Sequence, residues 1–514
     1  MQYQKTQPWP RPPAMPTERA PSNGHPPCTL RRLVSSAVRT CAWLTWLASA
    51  TAAAGPWMDP GDLALRHDVE LLADAGVVRV PVTTWPLAWA DVAQDLEDYQ
   101  GSLTPAVAGA RGRLMRQYRL ASRVHEVIPQ LRVAVADHPR QFRTFADTPR
   151  EDAELETGVE WTGADFAYRV KMAAVDASAD DHKTLRFDGS YLAAIWGNWA
   201  ISAGEQPRWW GPGWEGSLIW STNARPIPAV TVQRHLSAPF ETPLLHWLGP
   251  WQFLFSLGQL EGSRDVPHAL FLGMRFSFRP TRSFELGMSR TAQWGGQGRP
   301  EGFSTFKDLL LGYDNVGSAG ITRANEPGNQ LAGFDARWES PLFHGPYALY
   351  AQWTGEDEAG GWPSRYIGLF GIETWGAIGH QGASWRLHTE YADTATGGFY
   401  GSTLFNYAYQ HHIYTSGYTY YGRTIGDSLG GDGRSSSLDL LLVGANGNSW
   451  DVLVRRMEPH RNVAGTPLYD TVEVGRQFKW YVHRIDLRLG AVHRRQPDNN
   501  DTQLQADAQW TWMF

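Results

Sequence analysis

The sequence predicts an all-β transmembrane barrel of about 18 antiparallel strands, preceded by a small N-terminal α-helical segment. Three observations predict it. Beyond about residue 125, apolar residues recur at every second position, which is the period of a strand. An export-type leader precedes a remainder with no apolar run of 18 residues, so a helical membrane span is excluded. The chain also finishes on LQADAQWTWMF, where Leu504, Ala506, Ala508, Trp510, Trp512 and Phe514 alternate with polar residues and only Met513 breaks the pattern.

Composition agrees. Among 514 residues, charged side chains make up 19% and hydrophobic ones 42%, which indicates neither disorder nor a helical membrane bundle. The 25 tryptophans and 52 glycines are the unusual counts. Aromatic wealth suits strands and membrane interfaces.

Residues 1–54 read as a Pro-rich leader plus signal peptide. Eight prolines fall in residues 1–30, and Arg31, Arg32 and Arg39 then precede the apolar stretch CAWLTWLASA. Ala50-Thr51-Ala52 and Ala52-Ala53-Ala54 each fit a cleavage site. The late charged region suggests initiation at Met15 or beyond. Without this leader the chain holds 40 basic against 51 acidic residues, a net of −11, and loses both cysteines, Cys28 and Cys41. A thiolate metal site, a disulfide and a nucleic-acid footprint are all excluded on that reading.

Residues 55–124 read as a periplasmic helical segment. Asp59 is positioned to cap and Pro60 to begin a first helix, with Leu65, Val69 and Leu72 at helical spacing and Gly76 as the stop. A second helix is expected over Trp89–Asp98, and a third runs from Thr104-Pro105 towards Ser122. Such a segment is too small for independent stability and is expected to pack as a cap on something larger, with partner binding as the alternative.

Residues 125–514 read as the outer-membrane barrel. In WQFLFSLGQ, Trp251, Phe253, Phe255 and Leu257 share a face. In WRLHTEY, Trp385, Leu387 and Tyr391 oppose Arg386, His388 and Glu390. In HRIDLRLGAV, Ile485, Leu487 and Leu489 oppose Arg484, Asp486 and Arg488. An outward apolar band with aromatic girdles and a polar lumen explains these patterns, and closure removes the unpaired edges that hydrocarbon forbids. About 10 residues per strand, with turns of similar length, give an even count between roughly 16 and 20.

One central block narrows the reading: GNWAISAGEQPRWWGPGWEGSLIWSTNARPIPAVTVQR at 197–234. With LRHDVELLADAGVVRVPVTTWPL at 65–87 and HHIYTSGYTYYGRTIGDSLGGDG at 411–433, it resembles the Wzi-type capsule-assembly family. The resemblance implies an 18-strand outer-membrane barrel with a periplasmic helical bundle. It also implies a lectin that holds capsular or extracellular polysaccharide at the surface of a Gram-negative cell, with periplasmic export machinery as a further partner. The Pro-rich leader departs from that pattern.

A sugar site needs aromatic planes for pyranose C–H faces and fixed donors and acceptors for hydroxyls. Two stretches offer them. Trp209, Trp210 and Trp214 sit beside Glu205, Arg208 and Glu215 in a Pro/Gly-broken segment, read as a loop or inserted lumen plug. Asn223 and Arg225 follow. Tyr418, Tyr421 and Arg423 form the second group, with lumen packing as the alternative. The candidate carbohydrate contacts are therefore Glu205, Arg208, Trp209, Trp210, Trp214, Asn223, Arg225, Tyr418, Tyr421 and Arg423.

No catalytic residue, cofactor or metal ligand is expected. Gly426-Asp427-Ser428-Leu429-Gly430 spells GDSL and G-x-S-x-G, but no D-x-x-H follows and no strand–helix unit surrounds it, so it reads as a turn. His411 and His412 are adjacent, and in a strand would face opposite sides. His388 and Glu390 share a face with Arg386 and read as a lumen charge ladder. A porin-like or sugar-uptake channel, lined by Arg484, Asp486 and Arg488, is the competing reading, and a membrane-embedded hydrolase the third.

Overall fold

The computed structural model describes residues 56–176, 183–311, 328–340, 342, 345–356, 365–397, 403–497 and 499–513. The leader and Phe514 lie outside the described residues.

Eighteen strands close into one antiparallel barrel. They are β1 (Val127–Ala136), β2 (Ala153–Thr162), β3 (Phe166–Val175), β4 (Tyr191–Trp196), β5 (Trp199–Gly204) and β6 (Ala229–Arg234). Then follow β7 (Trp251–Gln259), β8 (Leu270–Thr281), β9 (Phe284–Trp294), β10 (Gly328–Glu339), β11 (Tyr347–Glu356) and β12 (Arg365–Ile378). The last are β13 (Ala383–Asp393), β14 (Arg434–Val443), β15 (Ser449–Glu458), β16 (Leu468–Trp480), β17 (His483–Arg495) and β18 (Asn500–Met513). Leu185–Arg186 also pairs with β3, so it and β4 act as one interrupted strand. The aromatic tail makes the closure: Trp510 pairs with Val133 and Met513 with Gln130.

The faces follow the alternation. Arg386, His388 and Glu390 point inward and are buried, whereas Tyr391, Leu487, Leu489 and Trp510 are exposed on the outer wall. Short connections such as 163–165, 282–283, 379–382 and 481–482 mark one end, and the long segments after β5 and β13 mark the other. At the short-turn end an aromatic girdle gathers. His483 stacks on Trp480, Trp510 and Trp512 with ring centroids 5.7, 6.0 and 5.8 Å apart, and Phe240 stacks on Trp251 at 4.4 Å. Such rings suit the bilayer–water boundary, where an apolar body and a polar edge are both satisfied.

Four helices occur among the described residues: α1 (Leu63–Asp74), α2 (Trp89–Asp98), α3 (Pro105–Ala121) and α4 (Phe303–Leu311). The second and third match the sequence pattern, and α4, in the connection between β9 and β10, was not foreseen. The first begins later than expected. Gly61 adopts a φ of 120° that interrupts the backbone, and Asp62 takes the cap, its carboxylate accepting from Leu65 N at 2.9 Å. Asp59 instead pairs with Arg169 on β3.

The helical segment packs on the barrel, and α1 goes further than a cap. Eleven of the 12 residues of α1 are buried, charged ones included, because the helix enters the mouth of the barrel. Asp74 pairs with Arg337 on β10 at 2.6 Å, and Glu70 with Arg386 on β13 at 3.2 Å. Glu373 on β12 completes the network at 2.6 Å from both arginines. His67 Nε2 lies 2.9 Å from Ser384 Oγ. In α3, Arg113 bridges Asp68 at 2.6 Å and donates to the turn carbonyl of Gly382 at 2.8 Å. Gly109 permits that approach, since a Cβ there would stand 2.3 Å from Gly382 O. Buried charges of this kind survive only when paired.

Candidate functional site

The segment between β5 and β6 turns into the lumen and plugs part of it. Its prolines and glycines leave backbone donors that no ladder can use, and wall side chains take them up. Glu390 accepts from Trp214 N and Gly216 N, both at 2.9 Å. Gln352 accepts from Leu218 N and donates to Trp210 O, again at 2.9 Å. Trp209 pairs with Trp85 in a two-residue ladder and donates its indole N–H to Gly213 O at 2.9 Å. The guanidinium of Arg66, on α1, lies 4.1 Å from the Trp214 ring. Gly273 on β8 thins the wall for Trp220, whose ring would stand 2.4 Å from a Cβ there.

Six of the sequence candidates lie within this packing. Trp209, Trp210 and Trp214 are at most 1% exposed, and Arg208, Asn223 and Tyr418 are also buried. Arg208 donates to Thr231 Oγ1 at 2.6 Å, Asn223 donates to Thr424 O at 2.9 Å, and Tyr418 donates to Ile219 O at 2.7 Å. They hold the plug and the Tyr-rich loop together; none presents a free face to a ligand.

The remaining four gather at the long-loop rim. Arg225 forms a forked pair with Asp188, at 2.6 Å from NH2 and 3.0 Å from Nε, and its guanidinium lies 5.3 Å from the Tyr421 ring. Lys183 lies over the same ring at 4.6 Å and donates to the Tyr421 hydroxyl. Glu205 sits in this field, and burial, then the Asp188 charge, pushes its carboxyl up to about 7. Arg423 donates to Gln141 O at 3.2 Å.

Tyr421 and Gly422 form the tip of a small hairpin pairing Thr419–Tyr420 with Arg423–Thr424. Both tip residues have positive φ, 48° and 77°. Glycine accepts that conformation freely, whereas a tyrosine does so at a steric cost; Tyr481, in the short turn between β16 and β17, shares it with a φ of 51°. A small void of about 10 Å³ lies between Tyr420, Tyr421, Arg225, Arg423, Arg150, Glu151 and Arg186. The rim thus supplies an aromatic plane flanked by both donors and acceptors.

Beneath it lies a lumenal cavity of about 490 Å³, reaching from Gln117 and Leu120 at the helical end to Asp188 and Pro226 below the rim. Its charged lining is internally paired: Arg132 with Glu154 at 2.6 Å and Lys171 with Glu156 at 3.0 Å. Sequence reasoning missed this cavity because it is assembled from β1, β2, β3 and the helical segment together. Of the expected channel lining, Arg484 and Asp486 border this cavity and pair with each other at 2.8 Å, Arg484 also reaching Asp62 at 3.4 Å, while Arg488 pairs with Asp451 at 2.7 Å.

The enzyme-like motif is a turn. Leu429 N donates to Asp427 Oδ1 at 2.9 Å and Gly430 N to Asp427 O at 3.3 Å. His411 and His412 depart from expectation: they lie in a loop, not a strand, and their ring centroids are 4.5 Å apart.

A closed, plugged transmembrane barrel with a charged and aromatic outer rim defines a class of integral outer-membrane proteins whose work is done at a surface. The chain belongs to the capsule assembly protein Wzi family, whose model matches residues 124–512. It is similar to an uncharacterized 55.8 kDa protein in the cps region of Klebsiella pneumoniae, 36% identical over 428 residues, covering 82% of this chain and 81% of that one. It is also similar in structure to Wzi of Escherichia coli, an outer-membrane protein involved in group 1 capsule assembly that is a carbohydrate-binding β-barrel. The TM-score is 0.77 at 29% identity, over 89% of this chain and 99% of that one. The chain is accordingly an outer-membrane barrel.

Proposed function

We propose that this protein is a non-catalytic outer-membrane lectin that binds capsular or extracellular polysaccharide and anchors it at the cell surface. The observation that carries this reading is the rim cluster, in which Tyr421 is held at positive φ beside Arg225, Asp188, Lys183 and Glu205. A sugar ring stacks on the tyrosine, its hydroxyls donate to Asp188 and Glu205, and Arg225 and Lys183 donate to its oxygens. Arg423 borders the small void beside it. The carbohydrate-binding Escherichia coli relative supports the same reading. The rim then faces outward, the girdled short-turn end and α1–α3 face the periplasm, and residues 1–54 are removed on export. Export machinery would meet the helical end.

Deleting the gene and complementing it with wild-type or rim-substituted protein tests the proposal. Polymer synthesis is expected to continue while capsule is shed into the medium, and Tyr421→Ala or Arg225→Ala is expected to restore anchoring only in part. Unchanged cell-associated capsule in the deletion would overturn it. The plugged lumen argues against a channel: purified protein in planar bilayers is expected to give no steady, saturable conductance.

A further inference from the structure

Three side chains from separate elements converge in the lumen behind the plug. Glu215 comes from the inserted segment, His388 from β13 and Asp439 from β14. His388 Nε2 lies 3.5 Å from Glu215 Oε1 and 3.8 Å from Asp439 Oδ2, and one ligand atom from each residue fits within 4.8 Å of the other two. All three are buried, His388 being 1% exposed. Four of their polar atoms have no hydrogen-bond partner: His388 Nδ1 and Nε2, Glu215 Oε2 and Asp439 Oδ1. Of these, His388 Nε2 is the atom aimed between the two carboxylates, and a buried ring nitrogen left without a hydrogen bond there calls for a bridging group.

We propose that Glu215, His388 and Asp439 hold a divalent transition-metal cation of the zinc class, which pins the lumen plug to the barrel wall. Around a tetrahedral ion with ligand bonds of about 2.0–2.2 Å, ligand atoms stand roughly 3.3–3.6 Å apart; the two spacings from His388, 3.5 and 3.8 Å, lie in or just beyond that range, and the two carboxylates, within 4.8 Å of each other, close the rest of the way on binding. One imidazole nitrogen with two carboxylate oxygens favours zinc over magnesium or calcium, which prefer all-oxygen cages. Water completes the coordination.

The surroundings fit a cation. Glu390, Asp427 and Asp451 bring further carboxyl groups to the same region, with Arg455 3.8 Å from Glu215 Oε2 and Arg488 paired with Asp451. The Trp214 ring stacks on His388 with centroids 5.0 Å apart, closing the site on one side and fixing the imidazole plane. The consequence is mechanical. Glu215 lies midway along the inserted segment whose two ends carry Glu205 and Arg225, so an ion here steadies the base on which the rim stands.

The test uses the full-length protein in detergent, stripped with a chelator and then dialysed against trace Zn²⁺ or Co²⁺. Wild type is expected to retain one ion per chain by elemental analysis, and the Co²⁺ form to show the visible absorption of tetrahedral coordination. Glu215→Gln and Asp439→Asn, each verified as folded by heat-modifiable gel mobility, are expected to lose both signals. Wild-type protein that takes up neither ion would overturn the proposal and leave a protonated His388 bridging two carboxylates as the explanation. Retention of a full equivalent by folded Asp439→Asn and Glu215→Gln would equally overturn this ligand set. Both readouts are independent of polysaccharide binding, so failure here leaves the lectin reading standing.

Discussion

The lumen plug and the rim above it draw on the same residue types, yet they do opposite work. Both mix aromatic rings with arginine and carboxylate. In the plug every ring is enclosed: Trp214 sits between Arg66 and His388, and its own backbone N–H is taken by Glu390. At the rim, Tyr421 is only half-buried and is held by a strained turn with two cations over its face. Aromatic composition alone therefore does not mark a binding platform. What separates the two is exposure: the plug rings are enclosed by the wall, whereas the Tyr421 ring is only partly covered.

That contrast can be broken first at the plug's anchorage. Arg386→Ala would leave Glu70, Asp74 and Glu373 to share Arg337 without its partner arginine, and losing one partner of a buried network costs about 3–5 kcal/mol. Urea unfolding of the protein in detergent is expected to show that loss, with reduced heat-modifiable mobility. Trp214→Ala should cost a comparable roughly 3–5 kcal/mol through the cavity it leaves. Any effect of it on polysaccharide retention is expected to scale with the loss of folded protein.

Rim substitutions should behave in the reverse manner. Tyr421→Ala is expected to leave unfolding within about 0.5 kcal/mol of wild type, as for a surface site. It should weaken glycan binding by roughly 0.5–1.5 kcal/mol, up to about tenfold. Tyr421→Asn sharpens the test, because asparagine tolerates positive φ: stability should hold or rise while binding still falls. A ligand affinity unchanged in both variants would show that the ring is not the contact.

The smallest effect concerns Glu205. Its carboxyl in the folded protein is raised to about 7 from the usual 4.5, by burial first and the charge of Asp188 second. The folded state therefore keeps a proton that the unfolded chain has released, and this group's contribution to stability falls as pH rises from about 4.5 to 7. A thermal-unfolding series across that window should slope less in Glu205→Gln than in wild type.

The barrel was largely legible from residue order. The alternation in WRLHTEY placed Arg386, His388 and Glu390 on the inner face, and all three are buried there. Trp89–Asp98 and Pro105–Ala121 match their expected helices because their start signals are local. The start of α1 was misplaced because Asp59 and Asp62 are both competent caps, and only Gly61's conformation chooses between them. The candidate site was half legible: the RWWGPG block announced a special segment, but nothing local distinguished packed tryptophans from an open tyrosine.

What the sequence by itself determined is which residues share a face of each strand and, once export to a membrane is read, that the sheet must close. Side-chain alternation is a property of neighbouring residues, and hydrocarbon leaves no unpaired edge unpunished. Only the tertiary structure decided which inward groups meet. Arg66 finds the carbonyl of Gly213 across 147 residues of chain, and His388 finds Glu215 from the plug and Asp439 from the adjoining strand. A closed wall brings distant positions to one axis, so the identity of each partner depends on register and insertion depth, quantities that no local pattern encodes.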